Sequence, residues 1–388
     1  MNAHGGKPVV AIYRTQILPL SETFVRDQAL ALRRWHPVLV GERKIAALDL
    51  AGLDVAATHE GPANLLQRVA GLLWRRLDRA SPAMVALVRR QNARLIHAHF
   101  GFDGVEAWPI AKQLKLPLLV TLHGSDVTTH MKWFTDGRAG RRWQGYPPRL
   151  ARLAAEPRVS FVAISENIRR AALDAGLPAA RIFVRPIGID TENFVHGGLP
   201  AGERGPKILF MGRLVEKKGA TYLLDAFEIL RRTLPDAELV IAGDGPEAAA
   251  LKARAVAIGN VRFAGAFTRA QAQAFLREAR VFCLPSVTAE SGDAEGLPIV
   301  ILEAQASGVP VVTSARGGAQ EGIIDGETGY AFAERDVPAM VERLHAVLTD
   351  DALAQRFSDA APGFIKARHD VYACTAALET LYDEVARA

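Results

Sequence analysis

Cysteine is nearly absent from this chain, which has only Cys283 and Cys374 among its 388 residues. These two residues have the spacing of neither a disulfide framework nor a zinc site. No run approaches the roughly 20 apolar residues that cross a bilayer. The start, MNAHGGKPVV, lacks the charged-then-apolar pattern of a signal peptide. We therefore expect a cytoplasmic protein without structural disulfides.

Several nucleotide-binding motifs are also missing. The first apolar run continues into RTQILPLSETF (14–24) without a G-x-G-x-x-G fingerprint, and the chain has no P-loop. It has no zinc finger, no RNP-like aromatic pattern and no lysine-rich tail, so we expect no nucleic-acid partner. A D-x-D metal motif is absent too. These absences argue against dinucleotide-dependent redox enzymes and P-loop enzymes.

Charge is distributed unevenly along the chain. Residues 1–195 hold 27 Lys and Arg against 16 Asp and Glu, whereas residues 196–388 hold 20 against 26. The first half therefore has a net charge of +11 and the second half −6. Such an asymmetry indicates two domains with different partners, and a basic half attracts phosphorylated substrates or an anionic membrane.

Short apolar runs alternate with amphipathic segments, which predicts parallel sheets covered by helices on both faces. The predicted strands are 9–13, 38–40, 95–100, 118–124, 161–165, 207–212, 238–243, 261–265, 281–286 and 310–314. Between the halves, VHGGLPAGERGP (195–206) is typical of a linker. We therefore predict two Rossmann-like, doubly wound domains, 1–194 and 195–370, facing a central cleft, followed by a helix over 371–388.

Two glycine-containing turns follow strands of the second half. FMGRLVEKKG (210–219) places Arg213 and Lys218 beside a predicted helix N-terminus, which favours phosphate. LVIAGDGPE (239–247) has the same strand–turn–helix form, and its glycines allow a ligand to approach the backbone. Taken alone, the first segment is explained equally well by surface charge beside a turn, and the second segment is only a turn.

The stretch AEGLPIVILEA (294–304) places two carboxylates around an apolar helix. Pro298 is a favoured first helical residue, so Glu295 precedes the helix and Glu303 lies in its second turn. An unpaired buried carboxylate is costly, and ligand hydroxyl groups are suitable hydrogen-bond donors for it. The alternative for Glu295 is a capping or helix-dipole role.

These motifs together resemble the family 4 (GT4) retaining glycosyltransferases of the GT-B fold. The resemblance rests on G-R-L-V-E-K-K-G, on G-D-G-P-E, and on E-G-L-P-I-V-I-L-E followed by A-x-A-S-G-V-P-V-V. It covers the whole chain, most firmly residues 205–335. It implies that the second domain binds a nucleotide-sugar donor and that the terminal helix crosses back onto the first domain.

The resemblance also implies roles for individual residues. Arg213 and Lys218 neutralise the donor diphosphate, Glu303 binds the ribose, and Glu295 binds hydroxyl groups of the transferred sugar. The full set of expected donor-binding residues is Gly212, Arg213, Lys218, Gly243, Glu295, Gly296, Leu297, Pro298 and Glu303. The expected catalytic residues are His123, Glu295, Arg213 and Lys218. No cofactor and no metal are expected.

In the first half, LHGSD (122–126) follows a strand, where the family places a histidine near the reacting groups. His123 is thus the catalytic candidate there, with Asp126 and His99 on the acceptor side. The alternative for His123 is a hydrogen-bonded core histidine. His97 lies on the same side of its strand as His99, but no third metal ligand is evident, so packing is the better interpretation for His97.

The loop after the first strand departs from the glycine pair that many relatives carry. It reads LPLSETF and resembles a subgroup of bacterial exopolysaccharide and colanic-acid-type glycosyltransferases. We expect Ser21, Glu22 and Thr23 on the acceptor side. Helix capping by Ser21 is an equally good explanation.

The acceptor is suggested by a basic amphipathic segment, LLQRVAGLLWRRLDR (65–79). Its apolar face and flanking arginines fit either an anionic membrane interface or a domain-packing helix with a basic rim. Further arginines and aromatic residues follow in 138–153. We expect a saccharide acceptor linked to a polyprenyl diphosphate, and an enzyme that is soluble or peripheral on the inner face of the plasma membrane.

The sequence therefore predicts a retaining, metal-independent hexosyltransferase of exopolysaccharide or surface-glycan synthesis that uses a nucleotide-diphosphate sugar, preferably a UDP-sugar. Transfer to a soluble acceptor, a GT-B-fold nucleotide-sugar epimerase and a non-catalytic sugar-nucleotide binding protein are the alternatives.

Overall fold

A computed structural model of the chain describes every residue except 1–5, 20–21, 45–47, 62–63, 195–198, 315–316 and 388. The chain divides into two compact units. The N-terminal domain comprises Met1–Gly188 and Val371–Ala388, and the C-terminal domain comprises Ile189–Asp370.

In the described part of the N-terminal domain, eight parallel strands form one sheet. The strands are β1 (Val9–Tyr13), β2 (Gln16–Ile17), β3 (His36–Lys44), β4 (Asp54–Glu60), β5 (Ala93–His99), β6 (Leu118–Leu122), β7 (Val159–Ala163) and β8 (Ile182–Val184). Their order is β2-β3-β1-β5-β6-β7-β8, with β4 also paired to β3. Strands β1 and β6 are buried along their whole length, as expected for a parallel sheet with helices on both faces.

Helices connect these strands. They are α1 (Thr23–Ala31), α2 (Leu65–Arg76), α3 (Pro82–Arg90), α4 (Gly101–Leu114), α5 (Ser125–Thr128), α6 (Met131–Thr135), α7 (Tyr146–Ala155) and α8 (Glu166–Asp174).

The C-terminal domain repeats the architecture with a parallel sheet in the order β11-β10-β9-β12-β13-β14. Its strands are β9 (Lys207–Met211), β10 (Glu238–Ala242), β11 (Val261–Gly265), β12 (Val281–Leu284), β13 (Val311–Ser314) and β14 (Gly329–Phe332). Its helices are α9 (Ala220–Leu230), α10 (Ala248–Ile258), α11 (Arg269–Glu278), α12 (Ile299–Ala306), α13 (Val337–Thr349) and α14 (Asp351–His369). The expected α/β class with two doubly wound parallel sheets is confirmed.

Of the glycine- and proline-rich segment 195–206, which its composition predicts to be a linker, residues 195–198 lie outside the described residues. The division between the domains falls at Gly188, and residues 199–206 belong to the C-terminal domain. Arg204 is buried there, and its guanidinium donates hydrogen bonds to the carbonyl groups of Leu199, Ala279 and Gly308. These hydrogen bonds hold the backbone around the short 3-10 helix Ala201–Glu203 against the rest of the domain.

The last helix, α15 (Val371–Arg387), is part of the N-terminal domain. Its Tyr382 lies in the core of that domain beside Trp35, with ring centroids 5.5 Å apart. The buried carboxylate of Glu379 accepts hydrogen bonds at 2.9, 2.6 and 2.9 Å from the backbone N–H groups of residues 33–35. Charge-assisted hydrogen bonds of this kind attach α15 to the end of α1.

Among the residues that the structure describes, no helix is both long enough and apolar enough to span a membrane.

Candidate functional site

Each sheet has a point where the strand order reverses, and ligands of doubly wound folds bind outside the carboxyl ends of the strands at such a point. In the C-terminal sheet the reversal lies between β9 and β12, and in the N-terminal sheet it lies between β1 and β5. The loops that follow these four strands contain many of the residues that the sequence motifs single out.

In the C-terminal domain the two glycine turns lie against each other. Gly212 follows β9 and Gly243 follows β10, and a Cβ atom on Gly243 would lie 1.8 Å from the Gly212 carbonyl oxygen. Gly243 also has φ +146°, in a region that side chains disfavour. Glycine is therefore required here so that the two turns can pack backbone to backbone at the edge of the sheet.

Lys218 and Glu295 form an ion pair beside these turns. Lys218 Nζ lies 3.1 Å from Glu295 Oε1, and both side chains are largely buried. Gly219, which follows Lys218 and is the N-cap of α9, has φ +68°, and a Cβ there would lie 1.9 Å from the Pro285 carbonyl oxygen. The lysine is thus held against the loop that follows β12.

A second lysine contributes to the same group. Lys217 Nζ lies 3.1 Å from Asp293 Oδ1 and 4.0 Å from Glu295 Oε1. Burial would raise the pKa of Glu295, but the charges of Lys218 and Lys217 outweigh burial and hold the pKa below its ordinary value. The sequence prediction did not include Lys217 or Asp293, although the adjacent lysines of EKKG were a visible signal.

The buried Oε1 atom of Glu295 accepts no well-aligned hydrogen bond in the described part of the chain and interacts with the lysines as a charge. Buried polar atoms normally have a hydrogen-bond partner. A ligand hydroxyl group would supply one, so this carboxylate fits the sugar-binding role that the resemblance implies.

The remaining donor-side candidates occupy different environments. The Arg213 side chain is exposed, and its guanidinium forms no ion pair or hydrogen bond with the described residues. Glu303 is buried in the second turn of α12. Gly296 and Leu297 precede this helix. Pro298 is its N-cap rather than its first helical residue, so α12 begins at Ile299. The proline position was thus wrong by one residue.

In the N-terminal domain, two histidines meet at the carboxyl edge of the sheet. His99 ends β5, His123 follows β6, and His99 Nδ1 lies 3.1 Å from His123 Nε2. Burial lowers the pKa of both histidines, and the positive charge of Arg14 lowers both further. His123 also packs on the ring of Phe100, with centroids 4.3 Å apart. The pair is therefore neutral at pH 7 and can both donate and accept hydrogen bonds.

His97 has a structural environment. Its Nδ1 lies 2.6 Å from the Tyr382 hydroxyl group and its Nε2 lies 2.7 Å from Thr121 Oγ1. Burial lowers its pKa to about 3. Among the described residues, no group of three or more His, Cys, Asp or Glu side chains is arranged to hold a metal ion.

Asp126 is fully buried and orders two loops of this edge. Its carboxylate accepts hydrogen bonds at 2.8 Å from the backbone N–H groups of Gly101 and Gly124, and one at 3.2 Å from that of His123. These partners give Asp126 a positioning role towards His123, and none of them suggests contact with an acceptor.

Arg14, which the sequence prediction did not include, organises the remaining loop. Its Nε donates to Glu22 Oε2 at 2.9 Å, its Nη1 donates to the His99 carbonyl oxygen at 2.7 Å, and it forms an ion pair with Asp103. Thr15 Oγ1 donates to the same aspartate at 2.5 Å. A cation just after a strand at the sheet edge was the available signal: Arg14 directly follows β1, and Arg213 follows β9 with Gly212 between them.

This arrangement changes the interpretation of the S-E-T-F loop. Glu22 is buried as the ion-pair partner of Arg14, so it supports the histidine edge and does not project freely. Glu22 is also the N-cap of α1, without a side-chain capping bond. Thr23 is the half-buried first residue of α1. Ser21 lies outside the described residues.

Comparison with known proteins follows this division of the chain. Residues 21–193 match the family described as Glycosyltransferase Family 4, and residues 193–364 match the family described as Glycosyl transferases group 1. The amylovoran biosynthesis glycosyltransferase AmsK of Erwinia amylovora is 32% identical over 298 residues, which span 75% of this chain and 69% of AmsK. A phosphatidyl-myo-inositol mannosyltransferase of Mycobacterium leprae is 30% identical over 314 residues, 79% of this chain and 78% of that protein.

Solved structures show the same fold. A sucrose-phosphate synthase from Thermosynechococcus elongatus superposes with a TM-score of 0.77 at 19% identity, covering 98% of this chain and 99% of that one. Anabaena Alr3699/HepE in complex with UDP and glucose superposes with a TM-score of 0.75 at 20% identity, covering 96% and 99%. With its two parallel-sheet domains and both family matches, the chain belongs to the family 4, group 1 glycosyltransferases of the GT-B fold.

Proposed function

We propose that this glycosyltransferase is a retaining hexosyltransferase that takes its sugar from a nucleotide-diphosphate sugar. The observation that carries the proposal is Glu295, a buried carboxylate kept ionised by two lysines, with one oxygen that accepts no aligned hydrogen bond. A hexose offers the hydroxyl groups that such an acceptor requires. Lys218 and the exposed Arg213 supply the positive charge that a diphosphate requires.

UDP is the proposed nucleotide. One protein of similar fold, Anabaena Alr3699/HepE, is described in complex with UDP and glucose and in complex with UDP-glucose, which supports this choice. GDP is the second candidate, because a relative in Mycolicibacterium smegmatis, 36% identical over 186 residues, is described as GDP-mannose-dependent. In either case we assign the ribose to Glu303 and the diphosphate to Arg213 and Lys218.

The proposed reaction is a front-face displacement. The bond between the anomeric carbon and the leaving phosphate oxygen breaks, and a bond to the acceptor hydroxyl oxygen forms on the same face. The acceptor proton passes to the departing phosphate. Cations and backbone N–H groups stabilise the negative charge that develops on that phosphate. We propose neutral His123 as the catalytic side chain of the N-terminal domain, hydrogen-bonded to the reacting groups. Mass spectrometry that traps a glycosyl–Glu295 adduct would replace this mechanism by a double displacement.

The proposed acceptor is a lipid-linked saccharide, such as one on a polyprenyl diphosphate, in bacterial exopolysaccharide or surface-glycan synthesis. Two relatives support this class: AmsK is described as an amylovoran biosynthesis glycosyltransferase, and the M. leprae relative is described as a phosphatidyl-myo-inositol mannosyltransferase.

The test is ligand-induced thermal stabilisation with UDP-, GDP-, ADP- and dTDP-sugars, each with and without EDTA. A ligand that binds the folded state raises its stability by mass action. We expect one nucleotide class to raise the melting temperature, with or without EDTA, and to have no such effect on the Glu303→Ala variant. The matched control is Glu278→Ala, which changes an exposed carboxylate at the end of α11. No shift with any donor would contradict the proposed site.

Product analysis with the stabilising donor separates the reaction types. Transfer to an added lipid-linked saccharide with retained anomeric configuration supports the proposal. An epimerised nucleotide sugar, or binding without any turnover in the presence of acceptor, contradicts it.

A further inference from the structure

Helix α2 turns its apolar face outward. Six apolar side chains of α2 and the residue after it are between 52% and 79% exposed. They are Leu65, Leu66, Val69, Leu72, Leu73 and Leu77. A surface helix normally packs such a stripe on the core. A contiguous exposed apolar patch marks an interaction surface.

The opposite side of α2 faces the domain. Its half-buried residues Gly71 and Trp74 line a cavity of about 410 Å³ shared with α3 and α4. The orientation of the helix is thus the reverse of the usual one, because Gly71, Trp74 and Arg75 are its half-buried residues while its leucines face solvent. A packing role for the leucines within the described N-terminal domain is excluded by their exposure.

The helix is stabilised locally. Asn64 and Gln67 form a reciprocal capping box, with both hydrogen bonds at 2.9 Å. Arg75 and Arg76 occupy the last turn, where positive charge interacts favourably with the helix dipole. These local interactions support the helix without burial of its leucine face.

The rim of the leucine face is cationic. Arg76 and Arg79 are exposed and form no ion pair with the described residues. The neighbouring acid, Asp78, is neutralised by Arg149 and Arg152, with N–O distances of 3.2 Å. Arg75 differs, because it is half-buried and its Nη1 lies 3.4 Å from Glu42 Oε2.

We propose that α2 docks the enzyme on an anionic lipid bilayer, with its leucines in the interface and Arg76 and Arg79 at the headgroups. The combination of an exposed leucine face and a cationic rim is what an anionic membrane interface binds. A second copy would present the same leucines and the same cationic rim, so it would offer these arginines no complementary charge, whereas anionic headgroups do. The surface is independent of the proposed transfer reaction and can be measured without any sugar.

The test is co-sedimentation of the full chain with phosphatidylcholine vesicles, with or without phosphatidylglycerol. We expect binding to the anionic vesicles that weakens as salt is added, because salt screens the arginines. The triple variant Leu66→Ser, Leu72→Ser, Leu73→Ser should lose this binding while its melting temperature stays unchanged, because the three side chains are already exposed. Val256→Ser is the matched control, since Val256 is 84% exposed on α10 of the other domain.

A charge-reversal pair tests the rim. Arg76→Glu with Arg79→Glu should lower the vesicle partition coefficient by at least about 25-fold, because each arginine near an anionic surface strengthens binding roughly fivefold. Arg356→Glu with Lys366→Glu makes the same charge change on exposed positions of α14 and should have little effect.

Binding of the triple serine variant equal to that of the wild type would overturn the proposal, as would absence of wild-type binding. A wild-type dimer that the serine substitutions dissociate, without vesicle binding, would show instead that a second copy covers this face.

Discussion

The buried ion pair of Lys218 and Glu295 gives a quantitative prediction. At 3.1 Å, the attraction between two unit charges is about 5 kcal/mol for an effective dielectric constant of about 20, and Lys217 at 4.0 Å contributes about 4 kcal/mol. The cost of removing the charges from water offsets much of this attraction. Removing one partner of a buried pair typically costs about 3–5 kcal/mol.

Lys218→Met should therefore destabilise the C-terminal domain by about 3 kcal/mol, at the lower end of that range because Lys217 remains. For a domain of this size the expected fall in melting temperature is roughly 6–12 °C. The assay is the thermal transition of the C-terminal domain in the full chain. Lys366→Met, at an exposed position of α14, is the matched control, and we expect it to change the free energy of unfolding by no more than about 0.5 kcal/mol.

The pH dependence identifies the cause. In the wild type the pKa of Glu295 is below its ordinary value. The ion pair therefore stabilises the fold at pH values above the unfolded-state pKa of about 4.3. This stabilisation is lost as the pH falls through the lower, folded-state pKa of Glu295. In Lys218→Met, burial should raise the pKa of Glu295. The difference in melting temperature between the two proteins should consequently be small in acid, where the carboxyl group is protonated in both, and widen towards neutral pH.

Glu295→Gln in the Lys218→Met background removes the uncompensated charge and should recover most of the lost stability. A loss that is independent of pH, or one that this second substitution leaves unchanged, would refute the electrostatic explanation.

Three further predictions concern the two sheet edges and α15. Gly243→Ala should lower the free energy of unfolding by about 1–3 kcal/mol and weaken donor binding in a thermal-shift titration, because the new methyl group would meet the Gly212 carbonyl oxygen. An unchanged melting temperature would show that the two turns can separate freely. His123→Ala should lower kcat by about 10²-fold or more. Because the pKa of His123 is lowered, its acidic limb in a kcat–pH profile should lie below the ordinary value of about 6.5, and a limb above that value would contradict a neutral histidine. Glu379→Ala should destabilise the N-terminal domain by about 3 kcal/mol or more, since three backbone N–H groups lose their acceptor, whereas Glu379→Gln should cost less in the same denaturation assay.

The sequence predicted the main strands and the loops of chemical interest because these depend on local patterns. Apolar runs such as VVAIY and LLVTL coincide with β1 and β6. Four strands, β2, β4, β8 and β14, were not predicted. The runs of two to four residues in β2, β8 and β14 are too short for a periodic signal, and β4 has no buried position to produce one. The sequence singled out Gly212, Lys218 and Glu295 as a glycine turn and a carboxylate at a helix start, and the family resemblance assigned them to a donor site.

By itself, therefore, the sequence determined the α/β class, the pair of doubly wound sheets and the side chains placed at the strand ends. Only the tertiary structure decided how those side chains pair: Arg14 with Glu22 and Asp103, His97 with Tyr382, and Lys217 with Asp293. It also decided that the leucines of α2 face solvent. There are two physical reasons. The spacing of apolar residues in an amphipathic helix is the same whether its apolar face points to the core or to solvent. Ion pairs between residues far apart in sequence depend on which strand ends the fold brings together.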